Sequence, residues 1–215
     1  VPLEDLIKIA KKHDIPVIVD AAGELPPVSN LRKIPSMGCD LVVFSGGKAI
    51  RGPNNTGFIV GRKDLIEACS LQAFPYYDRF MIGRGFKLKK EDIVGLVVAL
   101  KRFINLDFEK IIAHEQSKAR YIFNQFREFP HVKPELIYPD ETDRPIYIIQ
   151  LTLDEEALGI KAKNIARELA SGDPSIYIFH VEPLNILRVY VHNLENDEEK
   201  IVVERLKEVL SQNIR

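Results

Sequence analysis

The sequence has no run of apolar residues approaching eighteen without a charge, so no helical membrane span is expected; its longest low-charge stretch runs only from Ile93 to Leu100. An excess of one charge is missing too. Thirty Lys and Arg face thirty-one Asp and Glu, for a formal net charge of -1 and a pI near 6.6. A chain without a global basic field lacks the means to bind nucleic acid by neutralising phosphates, and no direct nucleic-acid contact is expected. Cysteine is scarce, with Cys39 and Cys69 alone. That argues against a disulfide-built secreted fold and for a reducing, cytoplasmic setting. Neither cysteine has a second Cys or a His at metal-finger spacing, so no metal is expected. His180 and His192 likewise lack a partner at useful spacing and read as packing or surface residues. Internal repeats and low-complexity segments are absent. So are an initiator Met and a signal peptide: Val1-Pro2-Leu3 leads straight into a helical pattern, and the chain reads as entering a domain partway through.

What the sequence does have is length and apolar content. At 215 residues and 46% apolar, it is able to bury roughly 70% of the surface its unfolded form exposes. Residues 3 to 60 alternate between helix and buried strand. Leu3, Leu6, Ile7, Ile9 and Ala10 fall on one helical face, and Lys11-Lys12-His13-Asp14 ends that helix. Pro16–Asp20 and Cys39–Ser45 read as nearly continuous apolar strands, as strands covered on both faces should. Gly57–Gly61 reads as a third, and a short helix is expected around Asn30–Met37. Arg62–Leu71 is expected to be helical with Leu65, Ile66 and Cys69 inward. A loop from Phe74 to Gly85 carries Tyr76, Tyr77, Arg79, Phe80 and Arg84. Two long helices follow. Lys90–Asn105 shows Ile93, Leu96, Val97 and Leu100 on one face; Phe108–Phe129 shows Ile111, Ile112, Ala119, Ile122, Phe123 and Phe126. Beyond Pro130, strands at Pro145–Leu151, Ile176–His180 and Ile186–Tyr190 with helices at Ala162–Ala170 and Glu198–Leu210 make a small α+β layer. The expected domains are therefore 1–88, linking helices 89–129, and a small α+β domain over 130–215.

Four features carry chemistry. Asp20 sits at the carboxyl end of a buried strand, followed by Ala21-Ala22-Gly23, where open α/β sheets bind ligands; a turn or capping residue would look the same. Ser45-Gly46-Gly47-Lys48 closes the next strand, twenty-eight residues after Asp20, a spacing that suits parallel neighbours joined by one crossover. Its glycines carry a lysine to the same sheet edge, where a plain salt bridge to Asp20 is the alternative. Arg51-Gly52-Pro53-Asn54-Asn55-Thr56-Gly57 is a breaker-rich loop of the kind that can cradle phosphate through N–H groups. Arg188, inside the strand Ile186–Tyr190, must be paired or face a cleft. A lysine, an aspartate and an anion cradle are the parts that pyridoxal 5'-phosphate needs. The amine takes the aldehyde as a Schiff base, the carboxylate keeps the ring nitrogen protonated, a small residue at Ala22 leaves room for the flat ring, and Ser45 holds the phosphate.

The segments IPVIVDAAGELPPVSNL, CDLVVFSGGKAIRGPNNTGFIVGRKDLIEAC and IGRGFKLKKEDIVGLVVAL resemble the fold type I pyridoxal-phosphate enzymes. Within them the likeness is to the branch of bacterial selenocysteine synthase (L-seryl-tRNA(Sec) selenium transferase) and D-glucosaminate-6-phosphate ammonia-lyase. It is specific over about residues 3 to 105 and looser beyond. The resemblance implies part of an aspartate aminotransferase-like large domain of α/β class with a mostly parallel sheet, followed by the α+β small domain. It assigns Lys48 to the Schiff base and Asp20 to the pyridine nitrogen. Ala22, Ser45 and Gly52 line the cofactor, and Arg84 and Arg188 contact substrate anions. Gly47 stands where the selenocysteine synthases carry an aspartate. The implied activity is α,β-elimination with ammonia release from an amino acid or a phosphorylated amino sugar acid, in a homodimer or larger homo-oligomer. Selenium or sulfur transfer, aldol cleavage or transamination would use the same lysine, and a cofactor-free structural or regulatory piece is the non-enzymatic alternative.

Overall fold

The computed structural model describes residues 1–73 and 82–212. Tyr76, Tyr77, Arg79 and Phe80 lie outside the described residues. The chain divides into two units, Val1–Leu106 and Asp107–Arg215, so the two long helices belong one to each.

In the first unit, α1 (Leu3–Lys12) leads to β1 (Ile18–Asp20), and α2 (Asn30–Ser36) crosses over to β2 (Leu41–Ser45). β3 (Gly57–Gly61), α3 (Lys63–Leu71), a 3-10 turn at Ile82–Phe86 and α4 (Lys90–Ile104) complete it. β1 and β2 are parallel, with Asp20 opposite Val43, as a single helical crossover requires. β3 runs antiparallel to β2, Ser45 facing Gly57. Residues 46–56 are too few to carry the chain back for a parallel strand, so this three-stranded sheet is mixed. Its apolar strands hold the core through Val42 and Phe44, both fully buried.

On two helices only part of the face that the periodicity predicts is buried. Of the apolar stripe on α1, only Ile7 is buried, and Leu6 and Ile9 stand about half exposed. On α4 the buried residues are Leu96, Ala99 and Phe103, while Ile93, Val94, Val97 and Val98 are exposed. The reason lies in the loop beneath α4. A Cβ on Gly46 would strike Leu96 Cδ1 at 2.6 Å, and one on Gly52 would come within 3.3 Å of Ala99 Cβ. Gly95 in turn clears the Pro53 ring, and Asn55 Nδ2 donates to Asp92 Oδ2 at 2.8 Å. The helix rests on the glycine loop through Leu96 and Ala99, which leaves Ile93 and Val97 of the expected stripe exposed.

The opposite end of this sheet is fastened by charge. Arg62 Nη1 donates to Asp40 Oδ1 at 2.8 Å, and its Nε and Nη2 reach Asp64 at 3.1 and 2.6 Å. Asp40 Oδ2 accepts from the Val17 N–H at 2.8 Å. That N–H, and then the Arg62 guanidinium, hold the Asp40 carboxyl below the usual carboxylate range.

The second unit contains α5 (Phe108–Phe126), β4 (Val132–Ile137), β5 (Ile148–Leu153), α6 (Glu155–Leu158) and α7 (Ala162–Ser171). β6 (Phe179–Val181), β7 (Ile186–Tyr190), a 3-10 turn at Val191–Asn193 and α8 (Glu198–Ser211) follow. The sheet order is β4-β5-β7-β6, antiparallel throughout. One face of it (Ile149, Leu151, Leu187, Val189) meets α5, α7 and α8 through Ile122, Phe126, Ile165, Leu169, Leu206 and Leu210 to form a single core. Lys118, although cationic, is buried in α5: its ammonium donates to the carbonyls of Leu194 at 2.8 Å and Glu195 at 2.9 Å, tying the turn after β7 to the helix. No helix among the described residues is long and apolar enough to cross a membrane.

Candidate active site

The carboxyl ends of β1 and β2 bring the sequence-selected residues to one edge. The pairing of Asp20 with Val43, and the two-residue alternation along a strand, put Asp20, Val43 and Ser45 on the same face. The backbone holds that edge closed: the Ala21 N–H donates to Val43 O at 2.8 Å. Asp20 itself is oriented by the Ala22 N–H, which donates to its Oδ1 at 2.9 Å. The turn reading of Asp20 is thus realised, and it uses only one carboxylate oxygen. Among the described residues Oδ2 has no partner. Lys48 is exposed at the end of the glycine turn, and its ammonium makes no ion pair or hydrogen bond among the described residues, so the salt bridge to Asp20 does not form. The Ser45 hydroxyl is likewise unpaired among them.

The glycine loop is a rigid mount for this lysine. Gly46 N–H donates to Thr56 O at 2.9 Å, Gly52 N–H to Gly46 O at 2.8 Å, and Arg51 N–H to Lys48 O at 2.9 Å. Thr56 is buried and donates its hydroxyl to Pro53 O at 2.6 Å. A side chain at Gly46 would collide with Thr56 Oγ1, and one at Gly47 would stand 2.5 Å from Asn54 Cα. Gly52 spends its N–H inward, so it serves the site by closing the loop and not as an exposed donor to an anion. The sequence pattern pointed to this loop for its breakers; the clasp by Thr56 and the lid formed by α4 carried no short-range signal.

The two arginines stand apart from this edge in the chain. Arg84 lies exposed in the 3-10 turn Ile82–Phe86. Arg188 belongs to the second unit. Its strand faces neither plain solvent nor an empty cleft: Nε donates to Gln150 Oε1 at 3.0 Å, and Nη1 pairs with Glu141 Oε1 at 2.6 Å. Neither Gln150 nor Glu141 was singled out by the sequence, because only the β5–β7 register brings Gln150 opposite Arg188.

An α/β unit with adjacent parallel strands, followed in the chain by an antiparallel α+β unit, has the fold of the fold type I pyridoxal-phosphate enzymes. The chain belongs to the aminotransferase class-V family, whose model matches residues 1–169 and whose members are pyridoxal-phosphate-dependent enzymes. It is 36% identical over 211 residues to a 5'-C-glycyluridine monooxygenase-decarboxylase from a Streptomyces species, covering 98% of this chain and 50% of the relative. It is 27% identical to the L-seryl-tRNA(Sec) selenium transferase of Aquifex aeolicus, covering 98% and 50%. A solved D-glucosaminate-6-phosphate ammonia-lyase superposes with a TM-score of 0.75 at 27% identity, covering all of this chain and 54% of that one. The chain thus spans about half the length of the relatives it matches.

The residues present fit the cofactor. An amine, a carboxylate oxygen and a hydroxyl, each without a partner among the described residues, stand at or just beyond the carboxyl ends of β1 and β2, and the small Ala22 donates its N–H to the carboxylate.

Proposed function

We propose that this chain carries the lysine-bearing part of a pyridoxal-phosphate-dependent lyase that acts on an amino acid or amino sugar acid, eliminating a β-substituent and releasing ammonia. The observation that carries the reading is the placement of Asp20 at the end of β1 and of Lys48 just beyond the end of its parallel neighbour β2, each with its functional atom unspent among the described residues. Bound there, the cofactor supplies an electron sink for the pair left at the substrate α-carbon. The chain's own residues do the rest. Lys48 Nζ would be the point of covalent attachment and, when free, the base that takes the α-proton. Asp20 would hold the ring nitrogen through its Oδ2 and keep it protonated, while Oδ1 stays on the Ala22 N–H and fixes the carboxylate plane. Ala22 leaves the ring room to lie flat, and the Ser45 hydroxyl donates to the phosphate. Arg84 and Arg188 bind anionic groups of the substrate. A homodimer or larger homo-oligomer is the assembly proposed.

The 36% identity to a monooxygenase-decarboxylase favours a second reading, in which the bond broken at the α-carbon is the one to the carboxylate. Incubating the protein with pyridoxal phosphate and a panel of β-hydroxy and phosphorylated amino acids and amino sugar acids separates the two. Equal amounts of ammonia and keto acid support the lyase. Carbon dioxide without ammonia contradicts it, and so does a new amino acid formed only when a keto acid is added.

A further inference from the structure

The sheet of the second unit has a gap at its β6 edge. Backbone hydrogen bonds along β7 alternate between its two sides. The Leu153 N–H donates to Asn185 O at 2.8 Å and the Val191 N–H to Tyr147 O at 3.2 Å, so Asn185, Leu187 and Val189 face β5. Ile186, Arg188 and Tyr190 therefore face β6. Val181 stands opposite Ile186 and Phe179 opposite Arg188, and there the ladder stops. Tyr177 would meet Tyr190 next, but the chain before β6 is fastened elsewhere. The Ile176 N–H donates to Leu169 O at 2.9 Å and the Ser175 hydroxyl to Ala170 O at 2.6 Å, which draws the segment onto the end of α7. Tyr190 is left with an N–H and a C=O on the same side, neither with a partner among the described residues.

A groove of about 370 Å³ lies at this gap, lined by Ile176, Tyr177, Ile178, Phe179, Tyr190 and Asn193 among others. Burial alternates residue by residue from Ile176 to His180, the mark of an extended chain that puts Tyr177 and Phe179 on one side. Tyr177 is 89% exposed and Phe179 54%, a large unburied area for two aromatic rings. Phe179 stands edge-on to Tyr190, with ring centroids 6.1 Å apart and planes at 85°. Side chains two residues apart on an extended chain are about 6.5–7 Å apart. A flat ring held between two others needs about twice the ~3.5 Å carbon contact distance, so one ring fits between Tyr177 and Phe179. The gap is short. The β6 ladder begins at Phe179, and the 3-10 turn Val191–Asn193 follows Tyr190 directly, so a strand of another polypeptide finds no length to pair with. One donor and one acceptor on a single edge, beside aromatic faces in a small apolar groove, match a planar heterocycle that carries an amide within its ring.

We propose that the second unit holds a binding site for a planar cyclic amide, whose ring N–H donates to Tyr190 O and whose ring C=O accepts from the Tyr190 N–H, with Tyr177 and Phe179 covering the ring faces. The site goes beyond the lyase reading and uses none of the residues assigned there.

The test is a titration of the full chain with 2-pyridone, following the Tyr190 amide signal by NMR after tyrosine-specific nitrogen-15 labelling. Tyr190→Phe keeps the backbone groups and identifies that signal by its loss. No cofactor is added, so the outcome is independent of whether Lys48 binds one. 2-Pyridone moves the Tyr190 signal to lower field and saturates. 2-Piperidone has the same amide edge without the flat aromatic ring, and binds about two- to tenfold more weakly, the factor that ring stacking allows. That preference disappears when Tyr177→Ala and Phe179→Ala are combined, and 1-methyl-2-pyridone, which has no N–H, binds more weakly than 2-pyridone. A Tyr190 signal that 2-pyridone never moves overturns the proposal, and so does equal binding of 2-pyridone and 2-piperidone to the wild type. A blocked tripeptide, acetyl-Thr-Val-Thr-amide, that moves the signal at lower concentration than 2-pyridone overturns it too, by making the gap a strand-pairing edge.

Discussion

Single residues in this chain are committed in ways that a change of a few atoms exposes. Gly46 has no room for a methyl group between Thr56 Oγ1 and Leu96 Cδ1. Gly46→Ala is expected to cost about 1–3 kcal/mol, the usual penalty for overpacking, and to displace the lysine mount, so the loss of stability in denaturant melts should come with weaker cofactor capture. The buried Lys118 side chain satisfies two backbone carbonyls. Lys118→Met keeps much of the aliphatic volume but strands both carbonyls, and should lower the stability of the second unit by about 1–3 kcal/mol, read as a shift in the midpoint of urea unfolding at unchanged slope. Asp40 gives a pH signature. Its folded pKa lies below the ordinary carboxylate value, so the stability it contributes is complete above the unfolded pKa, roughly 4. That contribution is lost as pH falls through the folded pKa. Thermal melts across that acid range should therefore show a shallower decline for Asp40→Asn than for wild type, with the variant less stable near neutrality.

Elements show what was legible in the sequence and what was not. The crossover β1–α2–β2 was readable, because apolar runs ending in Asp20 and Ser45 and a helix between them leave one simple arrangement. β4 was not. Val132–Ile137 carries Lys133, Pro134 and Glu135 in place of a continuous apolar run, and proline is tolerated there because the strand lies at the sheet edge. Strand position in a sheet is a property of the tertiary fold, invisible to a local pattern. On the inward face of α4 Leu96 was legible, whereas Ala99 and Phe103 were not, Ala99 being set against the glycine loop beneath the helix. Accordingly Phe103→Ala, on the buried face, should cost about 3–5 kcal/mol, while Val98→Ser on the exposed face should stay within about 0.5 kcal/mol in the isolated chain. In the second unit, burial pushes the Asp140 carboxyl up, but the Arg144 side chain and the N–H groups of Arg144 and Thr142 outweigh it and hold it below the ordinary range. That loop too is an acid-sensitive element.

At the scale of the whole chain, the residues proposed for function lie on two sheets of different construction. The mixed sheet of the first unit supplies Asp20, Ser45 and Lys48 at one edge, and the antiparallel sheet of the second supplies Arg188, paired with Glu141. The positions of Lys48 and Asp20 were legible because apolar runs followed by glycine or small residues mark strand ends in α/β folds. The partners of Arg188 were not, since Gln150 and Glu141 reach it only through register and a loop closed by Asp140. Everything proposed for the chemistry depends on the attachment point. The direct measurement is to add pyridoxal phosphate, reduce with borohydride, and map the modified peptide by mass spectrometry. Stable modification on Lys48, absent in Lys48→Ala and weakened in Asp20→Ala, is the expected result. Modification spread over other lysines, or unchanged when Lys48 is replaced, would contradict the account.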